Sequence, residues 1–286
     1  MINIFDPHLH FFALDSGDYH WLKPDSAPFW PDKEKINHSV YEDDLILPEN
    51  IILTGFVHIE AGFNNTQPEQ EFAWLQQHCR RTFKSIGFVD ICSPNFAEQL
   101  QRLSQYDAYI GIRHILDDDA VEILSAPQTL HNLQLLAEQN LIFEAQYSIA
   151  NLSATTLFIN LVKQCENLKV VINHAGSPAK NTCHQQWTSA LTELATLDNC
   201  FIKCSGWEMQ DRAWQVASVI ENIKQCISAF GLDRVMLASN FPVSNLAYSY
   251  SDIWQNYVLG LSDDDFFTAD KIKQLVAVNA KLFYRF

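Results

Sequence analysis

Eight short runs of β-branched, aliphatic and aromatic residues recur along the 286-residue chain, separated mostly by stretches of helical spacing. This alternation limits the fold more than any other feature. The runs are Ile2 to Phe5, Ile51 to Ile59, Ser85 to Ile91, Tyr109 to His114, Leu141 to Gln146, Lys169 to Asn173, Cys200 to Cys204, and Arg234 to Ala238. Helix-start signals fall between them. Ser93-Pro94 opens a helix expected to run to Leu103, and Ala126-Pro127 opens one expected to run to Glu138. Segments such as LKVVINH and RVMLAS are almost continuously apolar, as parallel strands must be when helices cover one face and a barrel interior fills the other. Eight strand–helix units favour a closed (β/α)8 TIM barrel over an open doubly wound sheet. The length suits one α/β domain spanning residues 1–286, with no linker and no short repeat inside it.

Two connections break the rhythm. Residues 11–50 form a long loop after strand 1, rich in aromatics, Pro and Asp, which either folds over the top of the barrel or packs outside it. Residues Phe241 to Gln255, after the last strand, bring Tyr248 or Tyr250 toward the rim of a pocket. The chain has 19 Lys and Arg against 34 Asp and Glu, a net charge of −15. Such a surface repels polyanions, so nucleic acid is not an expected partner. There is no signal-peptide pattern and no apolar run long enough for a membrane span, so a cytoplasmic protein that does not engage membranes is expected. Seven cysteines, at 79, 92, 165, 183, 200, 204 and 226, contain no CxxC pair and read as reduced thiols. No feature of the sequence specifies an oligomeric state.

In α/β barrels chemistry sits at the C-terminal ends of the strands, so the polar residues there are the candidates. Strand 1 ends in Asp6-Pro7-His8-Leu9-His10, and alternation puts Asp6, His8 and His10 on one face, where two imidazoles can meet a cation or a carbonyl. Strand 2 ends in His58 and Glu60; Glu60 is a base, a ligand, or the structural partner of an arginine. Asp90 reads as a cap for the next helix. On strand 4, Arg113 needs a carboxylate partner, Glu60 or Glu144, or an anionic ligand, and His114 adjoins it. Gln146 ends strand 5. His174 ends strand 6 and is the first candidate outside strand 1. Trp207 either walls the pocket or belongs to the core, and Asn240 ends strand 8.

The motifs DPHLHFF, GIRHIL, NHAGSP, KCSGWE, SNFPVS and NAKLFYRF, in this order over essentially the whole chain, resemble the amidohydrolase superfamily, and within it the branch of sugar-lactone and pyrone dicarboxylate lactonases. The resemblance implies a barrel that opens the ester bond of a small lactone, with His8, His10 and His174 at site positions. Arg113, Glu60, His114, Gln146, Trp207 and Tyr248 are the residues expected to bind substrate. It also implies one divalent cation, Zn2+ or Mn2+, held by His8, His10 and His174, or no cation. No strand lysine stands where binuclear members place their bridging ligand. One position departs from the pattern: Asn240 stands where the family usually has the Asp that takes a proton from water, and an amide cannot do so. The primary expectation is therefore activated-water attack on a lactone, with a neutral histidine or Glu60 as base and His174 returning the proton. The alternatives are a binding protein that has lost the chemistry, and a decarboxylase.

Overall fold

The computed structural model describes residues 1–178 and 184–286; Cys183, one of the seven thiols, lies outside the described residues. Strands β1 (Ile2–Leu9), β2 (Ile51–Ile59), β3 (Phe83–Phe88), β4 (Tyr109–Ile115), β5 (Ile142–Gln146), β6 (Lys169–Ile172), β7 (Cys200–Cys204) and β8 (Val235–Leu237) pair in parallel in chain order. The ring closes just beyond β8. Leu9 bridges Phe241, the Asn240 amide donates to the His8 carbonyl at 2.9 Å, and the His10 amide donates to the Phe241 carbonyl at 2.7 Å. The eight-stranded barrel expected from the alternation is the one observed.

Helices follow every strand but the first: α1 (Glu69–His78), α2 (Phe96–Leu103), α3 (Ala120–Ser125) with α4 (Thr129–Glu138), α5 (Leu152–Val162), α6 (His184–Leu194), α7 (Trp207–Gln210) with α8 (Val216–Phe230), then α9 (Tyr250–Ser262), α10 (Ala269–Lys273) and α11 (Asn279–Tyr284). Spacing explains how they dock. On α8, Val219, Ile220, Ile223, Cys226, Ile227 and Phe230 recur at three- and four-residue steps and are all buried. Each large apolar side chain so buried contributes about 1.5–3 kcal/mol. Local caps set the starts of α5, where Asn151 accepts from the Ala154 amide at 3.2 Å, and α9, where Ser249 accepts from the Asp252 amide at 3.2 Å.

Element boundaries differ from expectation in ways that sequence pattern hides. β1 runs four residues past Phe5, because inward-facing polar side chains there are still part of the strand. β3 begins at Phe83 and ends at Phe88, since Asp90 turns the chain by accepting from the Cys92 amide at 2.8 Å. The proline-opened helices both begin two residues later than the Pro, at Phe96 and Thr129.

The long loop folds over the C-terminal mouth. It carries three short 3-10 turns, and an antiparallel bridge between Phe12 and Val40 pins its two arms together. Lys33, buried, donates to the carbonyls of Trp21, Lys23 and Ser26 at 2.8, 3.1 and 2.6 Å and so ties the loop to itself. Across the mouth, Arg212 reaches from the β7 side, donating to both oxygens of Asp32 at 3.0 and 3.2 Å and stacking 4.8 Å from the Trp30 ring. Among the described residues no helix is long and apolar enough to cross a membrane.

Candidate active site

Three imidazoles meet beneath this lid. The His8 ring lies 5.0 Å from His10 and 4.6 Å from His174, centroid to centroid, and all three are buried. Each is held by one nitrogen or flanked on both. His10 Nδ1 is 2.8 Å from the Ile59 carbonyl, which only accepts, so Nδ1 carries the proton. His174 Nδ1 is 3.1 Å from Ser205 Oγ. His8 sits between two cations, with Nε2 3.5 Å from Arg113 Nη1 and Nδ1 3.5 Å from Lys203 Nζ. Burial pushes all three well below the ordinary imidazole value: Lys203 adds to this at His8 and Arg113 at His174, while His10 falls to about 3 with Arg113 adding. The cluster is therefore neutral near pH 7.

Backbone conformation positions these groups. His174 and Asn240 both adopt left-handed φ, 54° and 61°, which few side chains tolerate and which tends to persist where the surroundings impose it. Gly206, at φ 70°, makes room for the cluster: a Cβ there would come within 2.5 Å of His174 Nδ1.

The charges are accounted for in pairs. Arg113 Nε donates to Glu60 Oε1 and Nη2 to the Glu60 carbonyl, both at 2.7 Å, while Nη1 reaches Gln146 Oε1 at 3.2 Å. Lys203 donates to Glu144 Oε2 at 2.6 Å, and Tyr284 donates to Glu144 Oε1 at 2.5 Å. Asp6 Oδ1 accepts the amides of His8 and Ser239, both at 3.1 Å, and so joins β1 to the segment after β8. Glu208, on the single turn of α7, is fully buried. Its Oε1 accepts from Asn240 Nδ2 at 2.5 Å, its Oε2 has no partner among the described residues, and burial raises its pKa to about 7 against the pull of the Asn240 bond.

The structure thus brings together His8, His10, His174, Asn240, Arg113, Glu60 and Gln146. It does not bring His114, Trp207 or Tyr248. Alternation turns His114 away from the barrel interior that its neighbour Arg113 enters; its Nδ1 takes the Ile91 amide at 3.3 Å. Trp207 packs in the core with its indole N–H donated to Tyr257 at 2.8 Å, and Tyr248 stacks on Trp214 with centroids 4.7 Å apart. Lys203 and Glu208 were not singled out from sequence. Lys203 lay inside a run read only as strand, whereas Glu208 was visible in KCSGWE, two residues past the glycine that abuts His174.

The donor set does not suit a divalent cation as arranged. Among the described residues no three His, Cys, Asp or Glu side chains converge at ligand spacing. The carboxylates of Glu60 and Glu144 are committed to Arg113 and Lys203, and those two cations flank His8. An open cleft of about 340 Å3 between the lid and the segment after β8, lined by His38, Asp44, Phe241 and Tyr250 among others, contains none of the three imidazoles.

A family model described as amidohydrolase matches residues 5–286. The chain belongs to the amidohydrolase family. This amidohydrolase is 30% identical, over 99% of both chains, to an uncharacterized protein, y4mH, of Sinorhizobium fredii. It is 26% identical to an L-fucono-1,5-lactonase of Burkholderia multivorans, covering 87% of this chain and 85% of the lactonase. In fold it is similar to an amidohydrolase of Burkholderia multivorans crystallised with bound Zn, at TM-score 0.81, 21% identity and 99% coverage of both chains.

Proposed function

We propose that this amidohydrolase opens the ring of a small lactone, sugar-derived or carboxylated, by attack of water on the ring carbonyl. The observation that carries the reading is the neutral His8–His10–His174 cluster at the C-terminal mouth of the barrel, with Arg113 Nη1 turned toward it. The similarity to L-fucono-1,5-lactonases supports a lactone as the substrate.

The residues divide the work by their chemistry. Arg113, kept charged and fixed by Glu60, faces the cluster with Nη1 and stabilises the oxyanion that forms when water adds to the carbonyl; one such donor is worth about 2.7–4 kcal/mol in a buried site. Uncharged imidazoles at His8, His10 and His174 have one N–H to donate to a lactone oxygen and one lone pair to accept from the attacking water, without adding charge. Gln146 holds the third arm of Arg113 and so fixes its angle. Glu60 serves as the arginine's partner and not as the base, because Arg113 occupies its Oε1. The lid excludes water other than the attacking one. No step is routed through a metal. Zinc accompanies the Burkholderia multivorans neighbour, but here the arginine and lysine beside His8 oppose a divalent ion.

A pH-indicator assay on a panel of aldonolactones and dicarboxylated lactones tests this. One proton released per ring opened by the wild-type chain, and none by His174→Ala, is the expected result. No acid from any lactone overturns the reading, and CO2 release in its place identifies a decarboxylase.

A further inference from the structure

We infer that Glu208, turned by Asn240, is the group that takes the proton from the attacking water and returns it to the leaving alkoxide. This rests on the lactone-opening reading above. The inference starts from a count of carboxylates around the imidazoles. Glu60 and Glu144 are bound to Arg113 and Lys203, and Asp6 is held by two backbone amides that join β1 to β8. Glu208 and Asp6 are the described carboxylates of the site with no cation on their oxygens, and each has one buried oxygen without a partner; Asp6 lies against Tyr250 and the strand-joining amides, whereas Glu208 lies against the side-chain amide of Asn240. Arg212 bonds only its backbone carbonyl, and Tyr257 on α9 is the other titratable group near it.

Asn240 gives Glu208 a companion in both protonation states. An amide has one donating and one accepting end. With Nδ2 toward Glu208, as here, it donates to an ionised carboxylate. The His10 ring lies on its other side. A neutral His10 with its proton on Nδ1, facing the Ile59 carbonyl, presents a lone pair at Nε2 that only the NH2 end of Asn240 can satisfy. Turned that way, Asn240 offers Oδ1 to Glu208, which must then carry a proton. An aspartate at 240 would have no N–H to give and would repel the Glu208 carboxylate.

The balance is complete within the site. Water loses a proton to Glu208 Oε2 as its oxygen bonds the lactone carbon, and the C=O pair moves to the oxyanion. The oxyanion collapses, the ring C–O bond breaks, and the Glu208 proton passes to the departing alkoxide. The burial that lifts Glu208 toward neutral pH suits both transfers.

Wild type, Glu208→Gln and Glu208→Asp are compared on a lactone that the wild type opens, from pH 5 to 9, with circular dichroism as a check on folding. Glu208→Gln is expected to lower kcat by about 10²–10⁴-fold with KM within a few-fold, and to abolish the rise in rate through about pH 7; Glu208→Asp restores part of kcat and the rise. A folded Glu208→Gln that keeps kcat within threefold, or keeps the pH rise, overturns the inference; so does Glu208→Asp as inactive as Glu208→Gln. If the wild type opens no lactone, the functional reading fails separately. Infrared difference spectra then decide for Glu208: a protonated-carboxyl band that titrates near pH 7 and is missing from Glu208→Gln supports a proton-transferring Glu208, and its absence from the wild type overturns one.

Discussion

Asn240 at the end of β8 and Glu208 on α7 share a polar contact at the mouth of the barrel, 2.5 Å from Nδ2 to Oε1, and no cation bonds the carboxylate. The residue that departs from the family pattern therefore lies against a buried carboxylate supplied by a neighbouring strand's loop. A site with no carboxylate at position 240 has one within hydrogen-bonding distance of it.

Replacing Asn240 by Asp tests this arrangement directly. If position 240 lacked a base, Asn240→Asp would raise turnover. With Glu208 in that role, two carboxylates 2.5 Å apart cannot both ionise, and the pair titrates in two steps, one well above the other. The expected outcome is kcat at pH 7 unchanged or lower, with the pH–rate profile split, measured by lactone hydrolysis from pH 5 to 9.

Glu208 also sets a pH dependence of stability. Its folded pKa, about 7, lies above its ordinary value of 4.5. Between these values the folded state binds more protons than the unfolded one, so stability is full below about pH 4.5 and falls as pH rises to about 7. The loss amounts to about 3 kcal/mol for this group. Glu208→Gln removes the term, so its Tm is expected to fall less than the wild type's between pH 5 and pH 8 in thermal melts. Equal slopes would mean that Glu208 is already ionised in the fold at pH 5.

Much of the fold was written in the sequence, because burial on both faces leaves parallel strands as unbroken apolar runs and the helices between them repeat at three and four residues. Position on strands also carried the site part-way: His8, His10, His174, Arg113, Glu60, Gln146 and Asn240 do meet. What was not legible depends on orientation and on turns. His114 follows Arg113 and so faces away. Trp207 and Tyr248 have flanking apolar partners whose positions only the packed chain fixes. Glu208 lies beyond the end of β7 on one helical turn, where the period-two rule no longer says which way a side chain points. Lys203 sits inside an apolar run, and only Glu144, 59 residues away, explains its charge.

Chelation should leave this amidohydrolase active. Arg113 and Lys203 flank His8 at 3.5 Å, and a divalent ion placed among His8, His10 and His174 would meet both positive charges in a buried site. After EDTA treatment and dialysis, kcat is expected to stay within about twofold, with elemental analysis showing well under one metal per chain. Activity lost on chelation and regained with Zn2+ or Mn2+ would assign His8, His10 and His174 as ligands instead.

The lid should be coupled to the site through Arg212. Its side chain joins Asp32 of the lid to the backbone carbonyl of Glu208, and it is part-buried. Arg212→Ala and Asp32→Ala are each expected to raise KM several-fold and to speed proteolysis within residues 11–50. The double variant should show a coupling of about 1 kcal/mol in stability. Additive effects would mean that the pair is not what holds the lid.

Gly206 offers the sharpest separation of backbone strain from site geometry. Gly206→Ala puts a methyl 2.5 Å from His174 Nδ1 at a backbone angle, φ 70°, that alanine resists. Gly231→Ala places alanine at a similar φ of 79°, but with nothing within 4 Å of the added carbon. Both variants bear a positive-φ cost, about 1–2 kcal/mol at Gly206, where ψ is 21° and the backbone left-handed, and more at Gly231, where ψ is 157° and the region is essentially confined to glycine. Only Gly206→Ala must also displace the imidazole. Thermal melts should therefore show a loss for Gly231→Ala as well as for Gly206→Ala. Lactone hydrolysis should survive in the first and fall at least tenfold in the second, since His174 moves relative to His8 at 4.6 Å. Equal activity in the two variants would mean that the position of His174 does not limit the reaction.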